Sequence, residues 1–260
     1  MSLPGQVHRQ PGPDEATTVL HLGTRGSPLA LRQAEQVRQL MRKAWPMVTL
    51  RITVIETRGD QSPEQPLPQI GGKGLFTEEL NDALRHHRID LAVHSLKDLP
   101  IDDIPGLAIG AILEREDPRD ALVSRLACTS LASLPAGAVV ATGSPRRAAQ
   151  ILRHRPDLRV APLRGNVDTR WKKVLDPSAG FDATLLALAG LNRLGLTGRE
   201  IAPIDPEAVL PAPGQGALAI QCRADDAVCR NLLASLDHTP TRLAVTAERA
   251  FLAALGGGCS

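Results

Sequence analysis

Thr24-Arg25-Gly26-Ser27-Pro28-Leu29-Ala30-Leu31 stands where one structural pattern gives way to another. Upstream, Val19-Leu20-His21-Leu22 has the apolar, β-favouring character of a strand; downstream, residues 28–44 repeat leucine and alanine at helical spacing. A serine side chain accepts from the free N–H groups of a first helical turn. Proline already has a helical φ and lacks the N–H that would go unpaired there. The stretch therefore reads as a strand-to-helix turn. It recurs as Thr142-Gly143-Ser144-Pro145-Arg146-Arg147, which follows Ala138-Val139-Val140-Ala141 and opens a second run rich in Ala, Leu, Arg and Gln. Such a terminus offers unpaired N–H groups and the positive end of the helix dipole to an anion. An ordinary capped helix accounts for either copy alone. Two copies, both flanked by arginine, favour a duplicated anion site.

Working outward, residues 48–55 alternate as a strand, and 57–73 form a long Pro/Gly/Gln-rich connection of the kind that is functional or disordered. Residues 75–88 form an amphipathic helix and 89–94 an apolar strand that ends at Ser95-Leu96-Lys97-Asp98. The second half repeats the plan, with strands over 138–142, 158–163 and 183–188 and helices over 145–155 and 167–175. The alternation predicts mixed or parallel sheets with helices on both faces, arranged as two α/β lobes of about a hundred residues with a cleft between them. A last helix over 241–255 sets Arg242, Glu248 and Arg249 on one side, with Leu243, Val245, Ala247 and Phe251 largely elsewhere.

With 260 residues, 43% of them apolar, the chain can bury a sizeable core. Thirty basic against 28 acidic groups leave +2, which argues against binding a polyanion by bulk charge. Three Phe, two Trp and no Tyr supply few stacking platforms for single-stranded nucleic acid. Residues 1–16 read as a disordered polar tail without a signal peptide, and no run of about 18 apolar residues suggests a membrane span. A cytoplasmic protein with no nucleic-acid or membrane partner is expected. The four cysteines lack metal-ligand spacing, so neither zinc nor a disulfide framework is expected.

Three groups sit where strands should end, the place where open α/β sheets bind ligands. Ser95, Lys97 and Asp98 form the first; they suit either a solvated turn or a carboxylate placed to handle protons and stabilise a cation. Arginines form the second. Arg153, Arg155 and Arg159 read as solvated face residues, whereas Arg164 ends an apolar strand before Gly165-Asn166 and a helix carrying Arg170. Converging guanidinium groups imply a substrate with several anionic groups. Third is Cys259, after three glycines, a setting that is normally that of an incidental thiol in a flexible tail, although a thiolate is also a good covalent attachment point.

Together these residues resemble the hydroxymethylbilane synthase, or porphobilinogen deaminase, family. The likeness rests on Thr24 to Leu31, Gly71-Gly72-Lys73-Gly74-Leu75-Phe76, His94-Ser95-Leu96-Lys97-Asp98-Leu99-Pro100, and Glu114-Arg115-Glu116-Asp117-Pro118-Arg119-Asp120. It continues through Arg164-Gly165-Asn166-Val167, Ala189-Gly190-Leu191-Asn192-Arg193-Leu194-Gly195, Gly214-Gln215-Gly216 and Gly257-Gly258-Cys259. The resemblance implies a transferase that joins four porphobilinogen units into linear hydroxymethylbilane with release of ammonia, for tetrapyrrole (haem) biosynthesis. The growing chain would be held on a dipyrromethane cofactor attached to Cys259 through a thioether, and each pyrrole would carry an acetate and a propionate. Asp98 matches the catalytic carboxylate. Ser95, Lys97, Thr142, Ser144, Arg146, Arg147 and Arg193 match positions that hold the cofactor. Arg25, Ser27, Arg164 and Arg170 match positions that bind substrate or the lengthening chain; residues 57–73 match a mobile active-site loop, and Phe76 lines the cleft. No metal is implied, and a monomer is.

The implied fold is two type II periplasmic-binding-protein-like lobes, 17–114 with 213–233 and 115–212, followed by part of a third α/β domain over 234–260. Members usually have glutamate at the position of Gly256 and glutamine at that of Ser260, and continue beyond it. A form truncated within the third domain is expected, with the apolar face of the 241–255 helix uncovered. Competing readings are an inactive short form, a noncatalytic two-lobed anion binder, for which Asp98 and Cys259 have no evident use, and an enzyme of phosphorylated metabolites. Against the last, neither Gly-Ser-Pro copy is a P-loop.

Overall fold

A computed structural model describes residues 18–61, 77–126 and 128–257. Strands β1 (Thr18–Thr24), β2 (Val48–Val54), β3 (Leu91–Ser95), β4 (Leu107–Ile112) and β10 (Leu218–Arg223) form one sheet in the order β2-β1-β3-β10-β4. Strands β5 (Asp120–Ser124), β6 (Val139–Ala141), β7 (Arg159–Ala161), β8 (Ala183–Ala187) and β9 (Ile201–Pro203) form another in the order β7-β6-β8-β5-β9. With the strand that enters each sheet from the other lobe, β10 or β5, set aside, the remaining four strands of each sheet follow the same order, 2-1-3 on one side of it and 4 on the other. In both, the first three strands of the order run parallel and the fourth, β10 or β5, pairs antiparallel with its neighbours on both sides.

Parallel pairs require crossovers, and helices supply them. Helix α1 (Pro28–Ala44) joins β1 to β2; α2 (Arg58–Gln61) and α3 (Glu78–Arg85) lie between β2 and β3. Helices α4 (Pro145–His154), α5 (Val167–Leu175) and α6 (Leu188–Leu194) follow β6, β7 and β8, and α7 (Ala227–Ala234) and α8 (Thr239–Ala254) come after β10. The buried stripe of α1, Ala30, Gln33, Ala34, Val37 and Met41, packs toward a core that includes Leu22, Leu91, Val93 and Ile220. Fully burying a side chain such as Val37 or Met41 contributes about 1.5–3 kcal/mol. Leu122, Val140, Ile151 and Leu185 play the same part in the second lobe.

The antiparallel strands are the topological device that makes one cleft from two lobes. Chain from β4 crosses through residues 113–119 to become β5 of the second sheet, and chain from β9 crosses back through 204–217 to become β10 of the first. The crossings run side by side, with Leu113 N donating to Leu218 O (3.0 Å) and Glu116 N to Gly216 O (3.3 Å). Gly216 has φ +91°, and a Cβ there would lie 2.3 Å from the Glu116 carbonyl oxygen, so only glycine allows this approach.

Several expectations need adjustment. The strand expected over 89–94 extends through Ser95, because β10 pairs Leu218 with Ser95. The helix expected over 75–88 is described as Glu78–Arg85 and is ended by His87 in the left-handed region, φ +53°. The 57–73 connection begins with α2; its remainder, like the 1–16 tail, lies outside the described residues. Arg155 is no plain surface residue. It donates to the carbonyls of Leu131, Ala132 and Leu134 and pairs with Asp157. On α8 the polar side chains of Glu248 and Arg249 face inward, whereas Leu243 and Phe251, with Leu255 just past the helix, are about two-thirds exposed, at 67%, 68% and 68%.

Candidate active site

The N-terminus of α1 forms as its sequence requires. Ser27 is extended at the N-cap, its Oγ accepts from Ala30 N at 3.3 Å, and Pro28 opens the helix. Thr24 Oγ1 donates to the Ala30 carbonyl at 3.1 Å, pinning the end of β1 to the first turn. In the second lobe Ser144 Oγ accepts from Arg147 N at 3.4 Å. Thr142 Oγ1 accepts from Ser144 N at 3.1 Å, and Thr142 N donates to Ala161 O at 2.7 Å.

Between the lobes lies a cleft of about 920 Å³. Arg25, Ser27, Ser95, Lys97, Asp98, Arg147, Arg164, Arg170 and Arg193 all line it, so nine residues chosen from sequence converge. Three others do otherwise. Thr142 and Ser144 shape the turn behind Arg147, and neither they nor Arg146 line the cleft. Arg146 is turned to the Leu210 carbonyl and to Asp120 Oδ2 (2.7 Å for the latter). The two Gly-Ser-Pro turns are thus unequal: the first presents Gly26, Ser27 and Pro28 to the cleft, and the second contributes through Arg147 alone. Phe76 and Cys259 lie outside the described residues.

Charge decides what this cleft can hold. Arg25, Lys97, Arg147, Arg164, Arg170, Lys173 and Arg193 supply seven cations, against the carboxylates of Asp98 and Glu56. Burial, reinforced by the positive charge of Arg147 and opposed by Asp98 and Asp120, lowers the Lys97 ammonium to about 8. Burial likewise lowers Arg170, with Arg147 and Arg164 adding to it, and lowers Arg193 against the attraction of Glu116. These cations are crowded together short of negative charge, an arrangement that a ligand with several carboxylates relieves. The buried Arg147 Nε has no hydrogen-bond partner among the described residues. His94, one residue before Ser95, is pushed down to about 4 by burial and then by Arg25, and so is neutral near pH 7.

A buried network holds the floor of the cleft. Asp120, fully buried at the start of β5, accepts from Arg147 Nη2 at 2.7 Å, Arg146 Nη2 at 2.7 Å and Gln215 Nε2 at 2.9 Å. Gln215 in turn accepts from Lys97 Nζ at 3.1 Å through Oε1. Burial alone would raise the Asp120 carboxyl, but Arg147 and Arg146 outweigh it and hold it at about 2. Arg170 Nε donates to Gly165 O at 2.7 Å and Arg193 Nη2 to Gly216 O at 2.8 Å, fixing both guanidinium groups at the cleft wall.

Sequence reasoning missed Gln33, Glu56, Asn166 and Lys173, which also line the cleft. It also gave no role to Asp120 and Gln215. Gln33 left a readable trace, as the single strongly polar member of the buried stripe of α1; its Nε2 donates to Ser95 Oγ at 2.9 Å. Lys173 left none, since it belongs to an ordinary charged helix face.

The family model described as porphobilinogen deaminase, dipyromethane cofactor binding domain, matches residues 20–231. The chain is 51% identical over 240 residues to the porphobilinogen deaminase of Nitratidesulfovibrio vulgaris (strain DSM 19637 / Miyazaki F), covering 92% of this chain and 75% of that protein. It is 48% identical over 241 residues to the porphobilinogen deaminase of Syntrophobacter fumaroxidans (strain DSM 10017 / MPOB), covering 93% and 77%. Among solved structures, the reduced form of the OxyR regulatory domain from Pseudomonas aeruginosa superposes with TM-score 0.50 at 15% identity, over 88% of this chain and 98% of that one. This last likeness is one of fold alone, and it agrees with two type II periplasmic-binding-protein-like lobes.

Proposed function

The chain belongs to the porphobilinogen deaminase family, and from that premise we propose how its cleft divides the work. The protein is a hydroxymethylbilane synthase, a transferase of tetrapyrrole biosynthesis that polymerises four porphobilinogen units with release of ammonia. Its dipyrromethane cofactor, when bound, supplies the pyrrole end on which the polymer grows.

Asp98 is the catalytic carboxylate. It is exposed in the cleft at the end of the Leu96–Asp98 turn, in a field of cations. As the carbon–nitrogen bond of the substrate's aminomethyl group breaks and ammonia leaves, positive charge develops on the pyrrole. A fixed carboxylate lowers the energy of that charge. Arg147, Arg193, Lys97 and Ser95 hold the cofactor's acetate and propionate groups, with Arg146, Thr142 and Ser144 supporting Arg147 from behind. Arg25, Ser27, Arg164 and Arg170 bind the incoming pyrrole or the lengthening chain. The family resemblance assigns Phe76 to substrate binding and Cys259 to the thioether.

The observation that carries this reading is the convergence of seven cations on two carboxylates, one of them Asp98. It suits a ligand bearing several carboxylates around a reacting centre that becomes positive. The same reading divides the chain into lobe 1 (17–114 with 213–233), lobe 2 (115–212) and a segment of a third domain (234–260). The family resemblance implies a monomer, and the same reading takes the protein to be one. A cytoplasmic location is supported by the free thiols of Cys128, Cys222 and Cys229, and no helix among the described residues is long and apolar enough to cross a membrane.

Intact mass spectrometry before and after incubation with porphobilinogen tests the assignment, with ammonia release followed in parallel. An adduct of two pyrrole units is expected on the unaltered protein and not on Cys259→Ser. Asp98→Glu should keep the adduct and lose most turnover, by roughly 10²-fold. Unmodified protein with no ammonia release would overturn the reading, and undiminished turnover in Asp98→Glu would remove Asp98 from its role.

A further inference from the structure

Thr241, Val245, Glu248 and Arg249 recur at helical spacing along α8, and together they seat it on the two crossings and on the turn that carries Lys97 and Asp98. Thr241 Oγ1 accepts from Arg115 N at 3.1 Å. Glu248 takes both arms of the Arg115 guanidinium at 2.6 and 3.0 Å and also accepts from Gly214 N at 2.8 Å, so one carboxylate grips both crossings. Val245 is fully buried in the cluster that contains Leu96 and Leu99.

Arg249, one turn beyond Val245, reaches the turn that carries Lys97 and Asp98. Its Nη1 donates to Leu99 O at 3.2 Å and, at 3.5 Å, to Leu96 O; its Nη2 donates to the Pro100 carbonyl. A short 3₁₀ turn leaves carbonyls at its C-terminal end without partners in the turn. One planar guanidinium here takes the carbonyls of Leu99 and Pro100, just past the turn, and touches that of Leu96 at its start, in a way that a lysine ammonium cannot reproduce. The other end is held by Leu96 N, which donates to Ala217 O at 3.0 Å. Lys97 and Asp98 therefore sit between two anchors, one on the returning crossing and one on α8.

We propose that Arg249 is a positioning residue for Asp98. By clasping the carbonyls of Leu96, Leu99 and Pro100 it fixes where the Asp98 carboxylate stands in the cleft, without touching substrate itself. The proposal rests on the reading of Asp98 as the catalytic carboxylate. The effect belongs to kcat, because a displaced carboxylate stabilises the transition state less while the arginines that bind substrate stay in place.

The test compares Arg249→Ala and Arg249→Lys with the unaltered chain in steady-state porphobilinogen consumption and in amide hydrogen exchange. Both variants should lose kcat by roughly 10–100-fold with KM changed far less. Guanidinium chloride at tens of millimolar should restore part of the Arg249→Ala rate where equimolar sodium chloride does not. Exchange at the Leu99 amide, which donates to Leu96 O within the turn, should speed up in both variants. Unchanged kcat, or a lost kcat that guanidinium does not restore together with unchanged Leu99 exchange, overturns the proposal. Should Asp98→Glu retain full turnover while Leu99 exchange still quickens in Arg249→Ala, the catalytic assignment fails and the clasp stands. The exchange measurement reads the clasp even in a chain that releases no ammonia.

Discussion

The Gln215 carboxamide donates to the Asp120 carboxylate at 2.9 Å, and through that bond the cations of the two lobes share one network. Gln215 lies on the returning crossing and accepts from Lys97 of the first lobe; Asp120 opens the second sheet and pairs with Arg146 and Arg147. The charges that face the cleft are thus set by groups behind it. Four consequences can be measured.

Asp120→Asn leaves two guanidinium groups facing a neutral amide in a buried place. Breaking a buried pair in this way costs about 3 kcal/mol. The folded-state carboxyl at about 2 lies below its ordinary 3.8, so its stabilisation is complete above pH 4 and is lost as pH falls through 2. That component amounts to about 2 kcal/mol. Urea unfolding at pH 7 and acid unfolding between pH 4 and 2 should show a less stable variant whose stability depends less steeply on pH in that window. Equal slopes would show that Asp120 does not titrate as described.

Lys97, at about 8 in the free protein, gains an opposite charge when a carboxylate settles beside it, and its value then rises. Binding of a non-reacting pyrrole with acetate and propionate arms should take up protons between pH 8 and 9 and none near pH 6.5. Isothermal titration in buffers of different ionisation enthalpy measures this, and Lys97→Met should abolish the uptake. Uptake that persists in Lys97→Met would point to another group.

Gly216→Ala places a methyl against the Glu116 carbonyl at a residue with φ +91°. Overpacking and the left-handed backbone together should cost about 3 kcal/mol, a fall in melting temperature of roughly 6–12 °C. Calorimetry decides it; a melting temperature within a degree of the parent would mean that the two crossings part easily.

Ser27→Ala and Ser144→Ala each remove a helix cap worth about 1 kcal/mol, so their effects on stability should match. Their effects on substrate should not, because Ser27 lines the cleft and Ser144 lies behind Arg147. A raised KM is expected for Ser27→Ala alone. Equal changes in KM would contradict the unequal placement of the two turns.

The extent to which the chain was readable follows from the range of each interaction. Helices α1 and α5 span the residues expected of them, α1 opening at its Ser27 cap, because such signals act within a few residues. Strand β10 escaped local reading: it is buried along its whole length and shows none of the alternation that marks a half-exposed strand. The cleft arginines were legible as chemistry, since guanidinium groups at strand ends are informative by type and place. Arg146 was not separable from its neighbour Arg147. The turn of α4 sends one to the Leu210 carbonyl and the other to the cleft, and no feature of the dipeptide distinguishes them.

By itself the sequence determined two strand-turn-helix lobes, their anion-seeking helix starts and the family to which they belong, all carried by short stretches with strong local preferences. The tertiary structure alone decided that the first Gly-Ser-Pro turn faces the cleft and the second stands behind it. It also decided that Asp120 and Gln215 tie Lys97 to Arg147, and that Glu248 and Arg249 face inward on α8. Those outcomes depend on pairings such as Arg115 with Glu248 and Arg249 with Leu99, between residues far apart in the chain. A side chain's own composition says what it can bind, and only the packed chain says what comes within reach.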